Sequence, residues 1–171
     1  MKMNLLNLRN FILVFLTGLI LSACSKDKTP TDNLIGTWTA GTSTFTAMVG
    51  DKTLTQYFTD VMGLTAAEAQ QHTNLFDQGI QQSLTGTIQI KSDGKYKSSI
   101  GGTTDSGTWS LSSDGKKLTI TSDTQAPMTF DVIELTSSKL ILNVSESESE
   151  DLNGDGTLET ISISINMTLT K

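Results

Sequence analysis

The fold of this chain is decided by residues 92–122, which read SDGKYKSSIGGTTDSGTWSLSSDGKKLTITS. Two Asp-Gly pairs, Asp93-Gly94 and Asp114-Gly115, supply the turn chemistry that favours β-hairpins. Alternating residues beside these turns predict three strands: Lys95–Ile100, Gly107–Ser112 and Lys117–Ser122. Strands joined this tightly pair as antiparallel neighbours. The stretch therefore predicts an antiparallel meander inside a larger sheet.

The same pattern continues on both sides of this stretch. Serine and threonine are abundant, and the chain contains only two prolines. Further strands are predicted at Leu34–Thr46, Leu84–Ser92, Met128–Leu135, Lys139–Ser145 and Leu158–Thr170. About eight strands with short connections favour an up-and-down antiparallel β-barrel, because closure removes exposed sheet edges. The predicted class is all-β.

One segment, between Thr53 and Ser83, has helical spacing instead. Thr65 and Glu68 form a capping-box pattern, and Gly63 ends a shorter helix before it. Two amphipathic helices are therefore predicted as an insertion after the first strand. Their apolar faces carry Leu54, Phe58, Val61 and Met62 on the first helix and Ala69, Phe76 and Ile80 on the second. We expect these faces to cover one end of the barrel as a packed plug, with a mobile lid as the alternative.

The N-terminus carries a targeting signal. A basic start, an apolar run over residues 11–21 and the ending Leu21-Ser22-Ala23-Cys24 resemble the lipobox of bacterial lipoproteins. The resemblance implies a signal peptide over residues 1–23, a lipidated (palmitate-bearing) Cys24 with a polar tether over 24–33, and one domain over 34–171. It also implies membrane attachment through the lipid, in the cell envelope and most plausibly at the outer membrane, on its periplasmic or surface face. An ordinary cleaved signal with an incidental cysteine is the alternative.

Composition narrows the functional classes. Removing residues 1–23 takes away Lys2 and Arg9, which leaves 10 lysines, no arginine and 18 acidic residues, a net charge of −8. Such a chain is a poor nucleic-acid binder, since phosphate contacts need clustered cations. No enzyme is expected, because His72 is the only histidine and no Gly-x-Ser-x-Gly pattern accompanies it.

The first strand opens with Leu34-Ile35-Gly36-Thr37-Trp38, which resembles the Gly-x-Trp start of lipocalins. Together with the Asp-Gly-Lys-Tyr and Gly-Thr-Trp motifs of residues 92–122, the chain is similar to the lipocalin-like domains of lipoproteins from Bacteroidetes-type bacteria. Lipocalins usually stack a basic residue, often arginine, over this tryptophan. Because residues 24–171 contain no arginine, that contact is either missing or made by Lys139 or Lys171.

The resemblance implies non-catalytic binding of a small apolar or amphipathic ligand inside the barrel. A barrel of about eight strands either fills with side chains or holds one small ligand. The candidate ligand-binding residues are Trp38, Phe58, Met62, Phe76, Tyr96, Trp109 and Phe130. If these residues fill the barrel, the alternative is a structural or protein/glycan interaction module of the cell envelope. The sequence names no protein partner.

An acidic stretch near the C-terminus predicts a possible Ca²⁺ site. Asp151, Asn153 and Asp155 have the spacing of the first three oxygen ligands of an EF-type loop. Thr157 would add a backbone carbonyl and Glu159 a direct or water-bridged oxygen, but the bidentate glutamate of that loop is missing. Such a site would order the hairpin, which would then be stabilised by calcium. The alternative is a solvated acidic hairpin whose Asn-Gly and Asp-Gly pairs make the turn.

Strand alternation bears on the same acidic stretch. Glu146, Glu148 and Glu150 continue the inward-facing row of Leu140, Leu142 and Val144, and Glu159 shares a face with Ile161. We expect these carboxylates to converge at the hairpin tip.

Overall fold

Eight antiparallel strands close into a barrel in the computed structural model, which describes residues 28–171. The helices are α1 (Pro30–Leu34), α2 (Leu54–Asp60) and α3 (Ala66–Ser83). The strands are β1 (Gly36–Val49), β2 (Lys52–Thr53), β3 (Gly86–Ile90), β4 (Lys95–Ile100), β5 (Thr103–Leu111), β6 (Lys117–Ser122), β7 (Met128–Leu135), β8 (Lys139–Glu150) and β9 (Glu159–Thr170).

The sheet follows chain order, as the hairpin pattern predicts. From β3 to β9 each strand pairs with the next, β1 pairs with β3, and β1 also pairs with β9 from Thr39↔Thr170 to Val49↔Ile161. The short β2 adds a two-residue pairing to the end of β1. The predicted up-and-down barrel of about eight strands is confirmed, and so is the two-helix insertion after the first long strand.

Several strand boundaries differ from the predictions, and two of the differences have clear reasons. The first strand begins at Gly36 rather than Leu34, because Pro30–Leu34 forms α1, which was not predicted. Thr29 caps this helix, with Asp32 completing a capping box and Pro30 at its start, so the signal was present in the sequence. Strand β8 continues past Ser145 to Glu150, because β9 pairs with it along its whole length.

Helix α1 closes one end of the barrel. Leu34 and Trp38 are fully buried, and the indole N–H of Trp38 donates to the Leu34 carbonyl at 2.7 Å. The same core contains Ile90, Tyr96, Leu118, Leu140, Leu142, Met167 and Leu169. We call this end, defined by α1 and Trp38, the closed end.

Lys171 is the basic residue over the tryptophan. Its Nζ lies 4.3 Å from the centroid of the Trp38 ring. It also donates to the carbonyls of Asn33 at 2.5 Å and Ile35 at 2.7 Å. Lys139, the other candidate, instead pairs with Glu134 at 2.7 Å. Lys171 therefore holds the start of the first strand in place.

The inserted helices lie where β1 leaves its neighbour. Strand β1 pairs with β3 only from Gly36 to Thr39, and beyond that it continues beside β9, with β2 joining it only at Met48 and Val49. There the Ser43 N–H donates to Gln81 Oε1 of α3 at 3.1 Å, and Gln81 Nε2 donates back to the Ser43 carbonyl. Helix α3 thus supplies through a side chain the hydrogen bonds that a strand would have made.

The two inserted helices do not form the expected packed plug. Phe76 of α3 contacts Phe45 with ring centroids 5.4 Å apart, but Phe76 stays 42% exposed and Leu75 56% exposed. A cavity remains inside the barrel, and α3 borders it through Ile80 rather than filling it. Within residues 28–171, no helix has both the length and the apolar character needed to cross a membrane.

Replacing Lys171 with methionine should lower the free energy of unfolding by about 1–2 kcal/mol, because the cation over Trp38 and two hydrogen bonds to carbonyls are lost. Lys139→Met is the matched control, and its half-exposed pair with Glu134 should contribute less than about 0.5 kcal/mol. Urea unfolding of both variants measures the difference. Equal losses would show that the Trp38 contact has no special role.

Candidate functional site

A cavity of about 620 Å³ occupies the barrel beyond the closed end. The closed end is filled by Trp38, Leu34, Leu140 and Leu169, which are nearly completely buried, and none of these four lines the cavity. Core residues such as Leu118 and Leu142 form its floor, and Ile80 of α3 and Leu84, which follows α3, border it as well. Further apolar lining comes from Ile88, Ile120, Phe130, Ile163, Ile165 and Met167.

Three polar side chains form a connected group on one wall of the cavity. Tyr96, Asp105 and Ser122 belong to the adjacent strands β4, β5 and β6, and all three line the cavity. The Tyr96 hydroxyl donates to Asp105 Oδ2, and Ser122 Oγ donates to Asp105 Oδ1 at 2.8 Å. Each carboxylate oxygen of Asp105 therefore already accepts one hydroxyl hydrogen bond.

Gly107 makes this arrangement possible. It pairs directly with Tyr96 across β4 and β5. A Cβ at this position would lie 3.0 Å from Cε1 of Tyr96 and would collide with the carbonyl oxygen of Thr121. Because glycine leaves that space open, the Tyr96 ring lies against β5, and its hydroxyl reaches Asp105.

The environment fixes the protonation of this group. Burial, followed by the hydrogen bond to Asp105, raises the pKa of Tyr96 to about 12. The hydrogen bonds from Tyr96 and then Ser122 lower the pKa of Asp105 below its ordinary value. At neutral pH, Tyr96 is thus a neutral donor and Asp105 a carboxylate. None of the three ion pairs among residues 28–171 includes Asp105.

The remaining charged lining is also acidic. Glu146 and Glu148 of β8 line the cavity and are solvent-exposed, so they form its rim. No lysine, arginine, histidine or cysteine lines the cavity within the described part of the chain. His72 instead lies exposed on α3, with its ring 5.7 Å from that of Phe58. The cavity thus brings together an apolar surface and carboxylates.

The structure places two of the seven predicted ligand residues, Tyr96 and Phe130, in the cavity lining. Trp38 belongs to the closed-end core, and Trp109 packs partly buried against it with its indole N–H donating to the Lys91 carbonyl at 2.9 Å. Phe58 and Phe76 lie on the helices, where Phe58 contacts His72 and Phe76 contacts Phe45. Met62, which was predicted on the first helix, lies beyond the end of α2 and is 47% exposed.

The sequence prediction missed Asp105 and Ser122. It selected residues by aromatic size, although alternation held the necessary signal. Asp105 shares a strand face with Gly107, and Gly107 pairs with Ser122 on one side and with Tyr96 on the other. What the pattern lacked was the strand boundary, because β5 begins at Thr103 rather than at the predicted Gly107.

The acidic hairpin joins the end of β8 to the start of β9. Glu150 pairs directly with Glu159, whose carboxylate accepts from the Tyr57 hydroxyl at 3.2 Å and from the Leu152 N–H at 2.9 Å. Burial, followed by that hydrogen bond, raises the pKa of Tyr57. Glu146 and Glu148 line the barrel cavity.

The turn itself is held by side-chain to backbone hydrogen bonds. Asp151 accepts from the N–H groups of Gly154 at 2.7 Å, Asp155 at 3.1 Å and Gly156 at 2.9 Å. The Thr157 N–H donates to Asp155 at 2.7 Å, and this bond is the main cause of the lowered pKa of Asp155. Among residues 28–171, no group of three or more histidine, cysteine or acidic side chains is arranged to hold a metal. Calcium binding by this loop stays a prediction.

Comparison with known proteins places the fold. Residues 16–149 match the model of a family described as a lipocalin-like domain (DUF4923). No curated protein matches the chain. A crystal structure of a DUF4847 family protein from Bacteroides vulgatus ATCC 8482 is similar at 16% sequence identity and a TM-score of 0.35, covering 79% of this chain and 91% of that one.

Tyr96→Phe should keep the ring against Gly107 but remove one donor from Asp105, which raises the pKa of that carboxyl. At pH 7 the unfolding free energy should fall by about 1 kcal/mol. A carboxyl whose pKa is lowered in the folded state stabilises the protein at pH values above 3.8, its ordinary pKa. This contribution is lost as the pH falls through the pKa of the folded state. Urea unfolding at pH 7 and at about pH 2.5 should therefore show the difference from wild type shrinking in acid. A difference independent of pH would contradict the assignment.

Proposed function

Because this chain belongs to the lipocalin-like domain family (DUF4923), we propose that its barrel binds a small apolar or amphipathic molecule and catalyses no reaction. The observation that carries the proposal is the cavity of about 620 Å³. Its volume falls in the range of roughly 300–1,000 Å³ that is usual for small-molecule sites. An open cavity favours this function over a solid interaction module, since side chains do not fill the barrel.

The lining suits a hydrocarbon body. Each methylene group transferred from water to an apolar environment contributes about 0.8 kcal/mol, so a chain of about ten carbons gains roughly 8 kcal/mol before the cost of association. Aliphatic residues such as Ile88, Ile120 and Ile163 provide this environment. The few polar groups on one wall would fix the orientation of the ligand.

The proposal includes a lipid anchor at Cys24, which lies outside the described residues. The lipobox-like ending at Cys24 supports a lipidated N-terminus and a place in the cell envelope, at the outer membrane. Only five residues lie between Cys24 and Pro30, a reach of at most about 20 Å. Since Pro30 begins the helix of the closed end, the closed end would face the membrane and the acidic rim would face away from it.

Ligand binding is tested with residues 25–171 and the neutral fluorescent probe N-phenyl-1-naphthylamine. Saturable binding is expected, with at least about tenfold weaker binding in Ile120→Trp, because the added ring volume fills the cavity. Ile133→Trp is the matched control, since Ile133 is 62% exposed. Absence of saturable binding, or equal binding in both variants, would contradict the proposal.

The anchor is tested in the full chain with Cys24→Ser. We expect wild type to incorporate labelled palmitate and to sediment with membranes, and the variant to do neither, because no other cysteine is present. Palmitate labelling of the variant, or membrane association that does not depend on Cys24, would argue against lipidation at this residue.

A further inference from the structure

The charge of the cavity is one-sided. Its three ionisable acids, Asp105 on β5 and Glu146 and Glu148 on β8, stand on walls separated by β6 and β7. No basic side chain of the described residues shares the lining with them. Carboxylates on separate walls of one apolar cavity give the whole interior a negative potential, which attracts cations and repels anions.

The nearest lysines in sequence cannot neutralise this wall. Lys95 and Lys97 flank Tyr96 on β4, and the alternation of the strand turns them to the outer face of the barrel. Lys97 borders a shallow outer depression together with Thr104 and Gln89 rather than the cavity. The positive charges of Lys95 and Lys97 therefore lie outside the barrel cavity.

Asp105 is the acidic residue of this site whose carboxylate is held in place by hydrogen bonds. Two hydroxyl donors, Tyr96 and Ser122, fix the orientation of its carboxylate, and the residue lines the cavity. The side chain is half-buried, and none of the ion pairs among residues 28–171 includes it. The hydrogen bonds compensate for part of the desolvation of this carboxylate, and an ammonium group beside it would add a charge-assisted hydrogen bond. The lowered pKa of Asp105 means that the charge persists at neutral pH.

We propose that the cavity is selective for a cationic amphiphile, whose ammonium group contacts Asp105 while its hydrocarbon chain lies against the aliphatic lining. This selectivity rests on the proposed ligand-binding function and adds the chemistry of the head group. Glu146 and Glu148 at the rim raise the local concentration of such cations and speed their entry. An anionic amphiphile of the same length meets like charge at the rim and again at Asp105.

The test compares three compounds with the same dodecyl chain, dodecylammonium, dodecanol and dodecanoate, each below its micelle concentration. Affinities are measured by displacement of N-phenyl-1-naphthylamine from residues 25–171. Dodecylammonium should bind at least about tenfold more tightly than dodecanol, and dodecanoate should bind most weakly.

Asp105→Asn should remove the preference for the cation over dodecanol, and its circular dichroism spectrum shows whether the variant is folded. Asp123→Asn is the matched control. It removes the same charge one residue beyond Ser122, where Asp123 is exposed and accepts from Ser106 at 2.9 Å. If Asp105→Asn does not fold, Glu146→Gln/Glu148→Gln should lower the preference for the cation and reduce its dependence on salt.

The outcomes separate the two proposals. Equal affinity for the three dodecyl compounds would overturn the cation selectivity and leave ligand binding intact. Equal loss of preference in Asp105→Asn and Asp123→Asn would also overturn it, because overall charge would then explain the effect. Failure of every dodecyl compound and of the probe to bind would overturn both proposals.

Discussion

The contact between Lys171 and Trp38 is the constraint on which the barrel depends. Lys171 ends the chain directly after β9, and Trp38 lies near the start of β1, so their contact joins the two strands whose pairing closes the sheet. The same ammonium group holds the carbonyls that end α1. Burial, followed by the charge of Lys28, lowers the pKa of Lys171. The contacts of this one side chain thus connect the end of β9, the start of β1 and the end of α1.

Concentrating the large side chains at the closed end leaves the other end incompletely filled. Trp38, Leu34 and the leucines around them pack to full burial there. Beyond them β1 separates from β3, and α3 takes the place of a strand through Gln81. A helix beside an open stretch of barrel covers the interior without filling it. The cavity is therefore a consequence of where the chain places its bulk, and its acidic lining follows from strand alternation.

Much of this could be derived from the sequence, because turn chemistry and alternation are local. The Asp-Gly turns predict β4, β6 and their neighbours, and Thr65 with Glu68 predicts the start of α3. The position of the candidate site could not be derived in the same way. Trp38 and Tyr96 are both buried core residues with a polar neighbour on each side in the sequence, yet only Tyr96 lines the cavity. Periodicity gives the face of a strand, but it does not give the depth of a residue along the barrel axis.

The all-β class, the order of strands and the inserted helices can be predicted from the sequence, because each depends on neighbours along the chain. The acidic, arginine-free character of the domain follows from its composition. Only the tertiary structure decided which lysine meets Trp38, that α3 borders a cavity, and that Asp105 lies with Tyr96 and Ser122. These features depend on the register of strands and on the closure of the sheet. Both are fixed by contacts between residues far apart in the sequence, which no local pattern records.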